Sequence, residues 1–96
     1  MTVRWTRLAR AELIAQCEAI ARDDLGRAIA IALEIERRVG ALDEFPYRGR
    51  AGRVDGAREL PLPGLPWVAV YAVDDDVVTV LRLLHGAQVW PPDESA

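Results

Sequence analysis

At Pro46 the hydrophobic period of this sequence changes, and the change limits the fold to helices first and strands afterwards. Before it, apolar residues recur every three or four positions, the spacing of one face of a helix. After it come runs rich in β-branched and aromatic residues, bounded by Pro, Gly and Asp, which is the grammar of strands and turns. Proline enforces the boundary because it has no N–H to donate and restricts the residue before it, here Phe45. Helices followed by strands read as an α+β domain.

Within that frame, residues 3–5 form a short first strand and Thr6 is placed as the N-cap of a helix running to about residue 22. Ala9, Leu13, Cys17 and Ile20 make its core stripe. Asp23 and Asp24 break the chain and supply a capping carboxylate for a second helix over 25–42. Ala28, Ala32 or Ile31, Ile35, Val39 and Leu42 carry its stripe, and Ile29 and Leu33 are expected to widen it. So short a link makes an antiparallel helical hairpin. Residues 47–56, with three glycines and three arginines, read as an exposed, mobile loop. Strands are expected over 57–62, 67–73 and 77–84, turned by Pro63, Gly64 and Pro66 and then by Asp74 to Asp76, an antiparallel meander. The hairpin packs on one sheet face, and Trp67, Tyr71 and Trp90 are the candidates for the other, open to a partner, core packing being the ordinary fate of any one aromatic.

Ninety-six residues suit one domain, and no linker-like stretch divides 1–96. The lone Cys17 allows no internal disulfide, and no Cys/His cluster has metal-ligand spacing. No segment approaches the roughly 20 apolar residues of a membrane span, and no signal peptide is visible, so the expected place is the cytoplasm. All twelve basic residues are arginine, against fifteen acidic ones, for a net charge of −3. An acidic protein neutralises phosphates poorly unless its arginines are gathered together. Here Arg48, Arg50, Arg53 and Arg58 stand against only Asp55 and Glu59 over 46–66, while 67–96 is acidic.

No phosphate-cradling glycine loop, nucleotide fingerprint or nucleophile elbow occurs, so neither cofactor nor small-molecule chemistry is indicated. His85 ends the last strand beside Gly86, and Arg58 and Arg82 belong to strands, where arginine grips phosphate or carboxylate through two donors. Each also has an ordinary structural reading, as a hydrogen-bonding histidine or an ion-paired arginine.

The strings Pro-Tyr-Arg-Gly-Arg at 46–50, Ala-Arg-Glu-Leu at 57–60, Val-Tyr-Ala-Val at 70–73 and Leu-Leu-His-Gly-Ala at 83–87, in this order of elements, resemble the RelE/ParE superfamily of type II toxins. The resemblance spans nearly the whole chain. It implies a partner antitoxin and one of two activities: cutting messenger RNA on the ribosome, as in the RelE branch, or poisoning DNA gyrase, as in the ParE branch. RelE-like nucleases carry an arginine two places before the Val-Tyr pair, where this chain has Val68, and basic or tyrosine residues near the end of the last strand, where it has Gly86, Ala87 and Gln88. RNA cleavage needs a proton acceptor and a cation at the phosphorane. His85, Arg58 and Arg82 are the candidates for these roles if the chain is a nuclease. His-Gly-Ala resembles the ParE end instead, although Gln88 stands where many such chains have arginine.

The resemblance thus implies a ParE-like toxin that binds gyrase or another topoisomerase, touches nucleic acid at most indirectly, and forms a hetero-oligomer with a ParD-like antitoxin. The target-binding residues are expected to be Arg48, Arg50, Arg53, Arg58, Arg82 and His85, and the antitoxin anchors Trp67, Tyr71 and Trp90. The loop arginines, lying in an exposed segment, are expected to be dispensable for folding.

Overall fold

The computed structural model of the chain describes residues 1–86. Strand β1 (Thr2–Trp5) leads into helix α1 (Arg7–Ala21), capped by the Thr6 hydroxyl, which accepts the Ala9 N–H. Asp24 caps helix α2 (Leu25–Gly40) by accepting the Arg27 N–H at 3.0 Å. The helix tightens into a 3-10 turn, Ala41–Asp43, before Pro46. The strands β2 (Arg50–Ala51), β3 (Arg58–Pro61), β4 (Trp67–Asp74) and β5 (Val77–His85) follow.

They make one five-stranded sheet in the order β1-β5-β4-β3-β2. The meander is antiparallel, but β1 lies parallel to β5, pairing Thr2 with Val77 and Trp5 with Val80. In β5 the register slips by one at Leu81, which faces no residue of β4 because Val70 pairs with Arg82 and Tyr71 with Val80. The β4–β5 turn needs a left-handed residue, and Asp75 supplies it at φ 52°, a conformation that Asp tolerates better than most.

The main core lies between helices and sheet. Ala9 and Leu13 of α1 and Ile35 and Val39 of α2 meet Ala69, Tyr71, Val78, Val80 and Leu83 of the sheet. Alternation along the strands sends Val70 and Leu84 to the opposite face, where a second cluster forms with Ala57, packed by Val54 and Leu81. That face is therefore covered in part by the chain's own 52–57 segment.

Two sequence expectations change here. Ile29 and Leu33 do not widen the buried stripe of α2, because four-residue steps from Leu25 keep them on its outer side, where all three are exposed. The 47–56 segment is not a free loop: Arg50 and Ala51 pair with Glu59 and Arg58, and Gly49 is buried against the sheet.

Candidate functional site

The segment between α2 and β3 is built around two buried groups of the sheet. One is the phenol of Tyr71, fully buried, whose oxygen accepts the Gly49 N–H at 2.9 Å. The fit requires glycine: a Cβ on Gly49 would stand 2.7 Å from the Tyr71 oxygen and 2.8 Å from the Glu59 carbonyl oxygen. The other is the carboxylate of Glu59, 2% exposed on β3. Arg50 reaches its Oε1 at 3.1 Å, while the Arg53 backbone N–H and Nε reach its Oε2 at 3.2 and 3.3 Å. Burial pushes the Glu59 carboxyl up, but donors from Arg53 and Arg50 together outweigh it and hold it below its ordinary range.

Arg58 works from the next position of β3. Its guanidinium donates to the Gly49 carbonyl at 2.6 Å and the Tyr47 carbonyl at 3.2 Å, and its carbon lies 5.3 Å from the centroid of the Tyr47 ring. Arg48, in contrast, projects outward with no partner for its guanidinium among the described residues. It borders two hollows. One, about 610 Å³, is lined by Glu44, Phe45, Pro46, Tyr47 and Arg48. The other, about 430 Å³, lies between the end of α2 and β3, with Arg37, Arg38 and Arg48 above an apolar floor that includes Leu60 and Leu62. Arg37 and Arg38 are already engaged by Glu34, whose carboxyl their hydrogen bonds lower to about 2.

Of the six residues expected at the target surface, the structure gathers Arg50 and Arg53 on Glu59 and sets Arg58 on the carbonyls either side of Arg48. Arg82 lies elsewhere. Its guanidinium makes a two-pronged pair with Glu12 of α1 at 3.0 and 2.8 Å, and the same carboxylate accepts the Leu83 N–H at 3.1 Å. Glu12 thereby covers the edge of β5 beyond the reach of β1. His85 stands at the end of β5 opposite Trp67, and neither it nor Arg82 is without further contacts. Arg58 faces Tyr71, four residues along β4 from Trp67 and two strands from β5. At about 3.4 Å per residue and 4.8 Å per strand, that separates its backbone from that of His85 by roughly 14 Å along and 10 Å across.

The expected antitoxin anchors are corrected. Tyr71 is fully buried and Trp67 is 5% exposed, both on the helix-facing side of the sheet with the core. The strand alternation that was to turn them outward is in phase with Ala69 and Leu83, which the helices cover. Trp90 lies outside the described residues, as do Ala87 and Gln88. What charge counting missed is aromatic: Phe45 and Tyr47, 59% and 64% exposed, flank Pro46 at the rim of the arginine cluster. The signal was present, since an apolar residue in a Gly/Arg-rich loop belongs to no periodic stripe.

Residues 3–90 match the family described as the ParE toxin of the parDE type II toxin-antitoxin system. Over 89 residues the chain is 36% identical to "Putative toxin Y4kP" of Sinorhizobium fredii (strain NBRC 101917 / NGR234), covering 93% of this chain and 92% of that one. Its fold is similar to a chain of the solved "Chromosomal ParDE TA system from P. aeruginosa", with a TM-score of 0.82 and 27% identity, covering 88% of this chain and 95% of the other. With the helical hairpin on a five-stranded mixed sheet and the family's extent along the sequence agreeing, the chain belongs to the ParE toxin family of type II toxin-antitoxin systems.

Proposed function

We propose that this toxin stops growth by binding a DNA topoisomerase, gyrase first among them, without catalysing a reaction itself, and that a cognate ParD-like antitoxin neutralises it in the cytoplasm. The observation that favours binding over RNA cleavage is the commitment of both candidate cations. Arg82 is held by Glu12, and Arg58 is spent on the Gly49 and Tyr47 carbonyls. A phosphorane is stabilised only by donors aimed where its charge develops. Arg58 is aimed at the 47–49 backbone, away from His85 at the end of β5. Val68, half-buried in β4 between Pro61 and Leu84, puts no cation in the middle strand. The topoisomerase and the antitoxin rest on family membership.

The purified chain is expected to inhibit supercoiling by gyrase and to leave messenger RNA intact on programmed ribosomes. Codon-specific cuts that disappear in His85→Ala would replace this reading with the nuclease one. Restored supercoiling on adding the product of the adjacent antitoxin gene is the expected sign of neutralisation.

A further inference from the structure

The segment 45–48 is pinned from behind while its side chains face outward. The Arg48 N–H donates to the Phe45 carbonyl at 3.1 Å, closing a turn in which Pro46 fixes one backbone angle. Arg58 holds the Tyr47 carbonyl and lies against the Tyr47 ring. Next along the chain, Gly49 is anchored on buried Tyr71. Two aromatic rings left in water on so constrained a backbone lose little freedom when a partner covers them, and tyrosine and arginine are the side chains that most often dominate interfaces. Arg48 completes the set. Alone among the arginines of its segment it has no partner among the described residues, and it stands where an apolar hollow meets a cleft walled by Arg37 and Arg38.

We propose that Phe45, Tyr47 and Arg48 form the docking surface for a segment of the target protein that carries an apolar side chain, seated against the rings, beside a single carboxylate, placed on Arg48. This rests on the reading that the toxin acts by binding a topoisomerase. Charge complementarity selects the chemistry. A nucleic acid would need several phosphate contacts, whereas one free guanidinium stands here among Asp43 and Glu44 on a chain of net charge −3. Size selects the source, since three side chains suit a small transient contact, below the ~1,200 Å² of total area at which stable complexes begin. A standing antitoxin complex needs a larger surface.

The test compares Tyr47→Ala, Arg48→Glu and the control Arg27→Glu, an exposed arginine of α2, with the parent chain. Circular dichroism and antitoxin affinity are measured first, then growth after induction and the toxin concentration for half-inhibition of gyrase. Tyr47→Ala and Arg48→Glu are each expected to lose at least tenfold in both potencies, with folding and antitoxin affinity unchanged, while Arg27→Glu behaves as the parent. Full growth inhibition by a folded Tyr47→Ala and Arg48→Glu overturns the surface, as does loss of antitoxin affinity with toxicity kept. If the parent leaves gyrase untouched yet both variants lose growth inhibition, the surface stands and the topoisomerase falls. If parent and variants inhibit gyrase alike, the surface falls and the topoisomerase stands.

Discussion

Glu59 shows how a single side chain can turn a charge pattern into architecture. Counted along the sequence, Arg50 and Arg53 are surplus cations in a glycine-rich stretch; in the fold they are the partners of one buried carboxylate. Nothing local announces this, because Glu59 is simply the polar member of an alternating strand, and its burial depends on the fold around it. The expectation that both arginines could be removed without harm to folding is therefore reversed. Truncating both leaves a desolvated carboxylate with the Arg53 backbone N–H but no cation, and hydrogen bonds to charged groups are worth about 1.5–3 kcal/mol in sites of this kind. Arg50→Ala with Arg53→Ala is expected to lower stability by an amount in that range, read from urea unfolding, so loss of toxicity in that variant would not report target contact. The acid response follows from the sign. The folded pKa lies below the unfolded value near 4.3, so the stabilisation is full above that value and is lost as pH falls through the lowered folded pKa. Glu59→Gln is expected to flatten this part of the acid unfolding curve; an unchanged curve would remove Glu59 from it.

At the scale of elements, both helices, their caps and the three meander strands were legible because each is written in local periodicity and punctuation. The Thr6 and Asp24 caps, the Pro46 stop and the Asp74 to Asp76 turn stand where the sequence puts them. The two-residue β2, the slip at Leu81 and the parallel placement of β1 were not legible, since each depends on a partner far along the chain. The aromatic faces failed for the same reason: alternation says that Trp67, Ala69 and Tyr71 share a side, but not which side the helices take. Tyr71 illustrates the cost of that ambiguity, being a keystone of the core that also holds the preceding loop through Gly49. Tyr71→Phe is expected to cost about 1–3 kcal/mol by leaving a buried N–H unpaired, and to speed amide exchange at Gly49 more than in α1 or α2. Gly49→Ala should do worse, since its new methyl meets backbone as well as the phenol. Equal protection at Gly49 in wild type and Tyr71→Phe would show that the loop is held by something else.

For the whole molecule, one polar link between layers runs through Glu12, which binds Arg82 and the Leu83 N–H and so joins the helical hairpin to the sheet where β1 no longer covers it. A chain this small buries a modest share of its surface, so anything that binds only the folded form weighs heavily on its stability. Saturating antitoxin at 100 times its Kd is expected to add about 2.7 kcal/mol and raise the thermal midpoint by several degrees. An unmoved midpoint would argue that the antitoxin tested is not its partner. Of the proposed surface, sequence singled out the segment through its arginines. It could not separate Arg48 from Arg50, Arg53 and Arg58, because which cations are already engaged is a property of the folded surface.

The parallel pairing of β1 with β5 has a consequence in time. Thr2 finds its sheet partner only in Val77, so the first strand to leave the ribosome has no neighbour until the last has been made. At ~5–20 residues per second, several seconds pass in which the nascent chain has helices and no closed sheet. Whatever surface depends on the completed sheet therefore exists only once the last strand has joined the first.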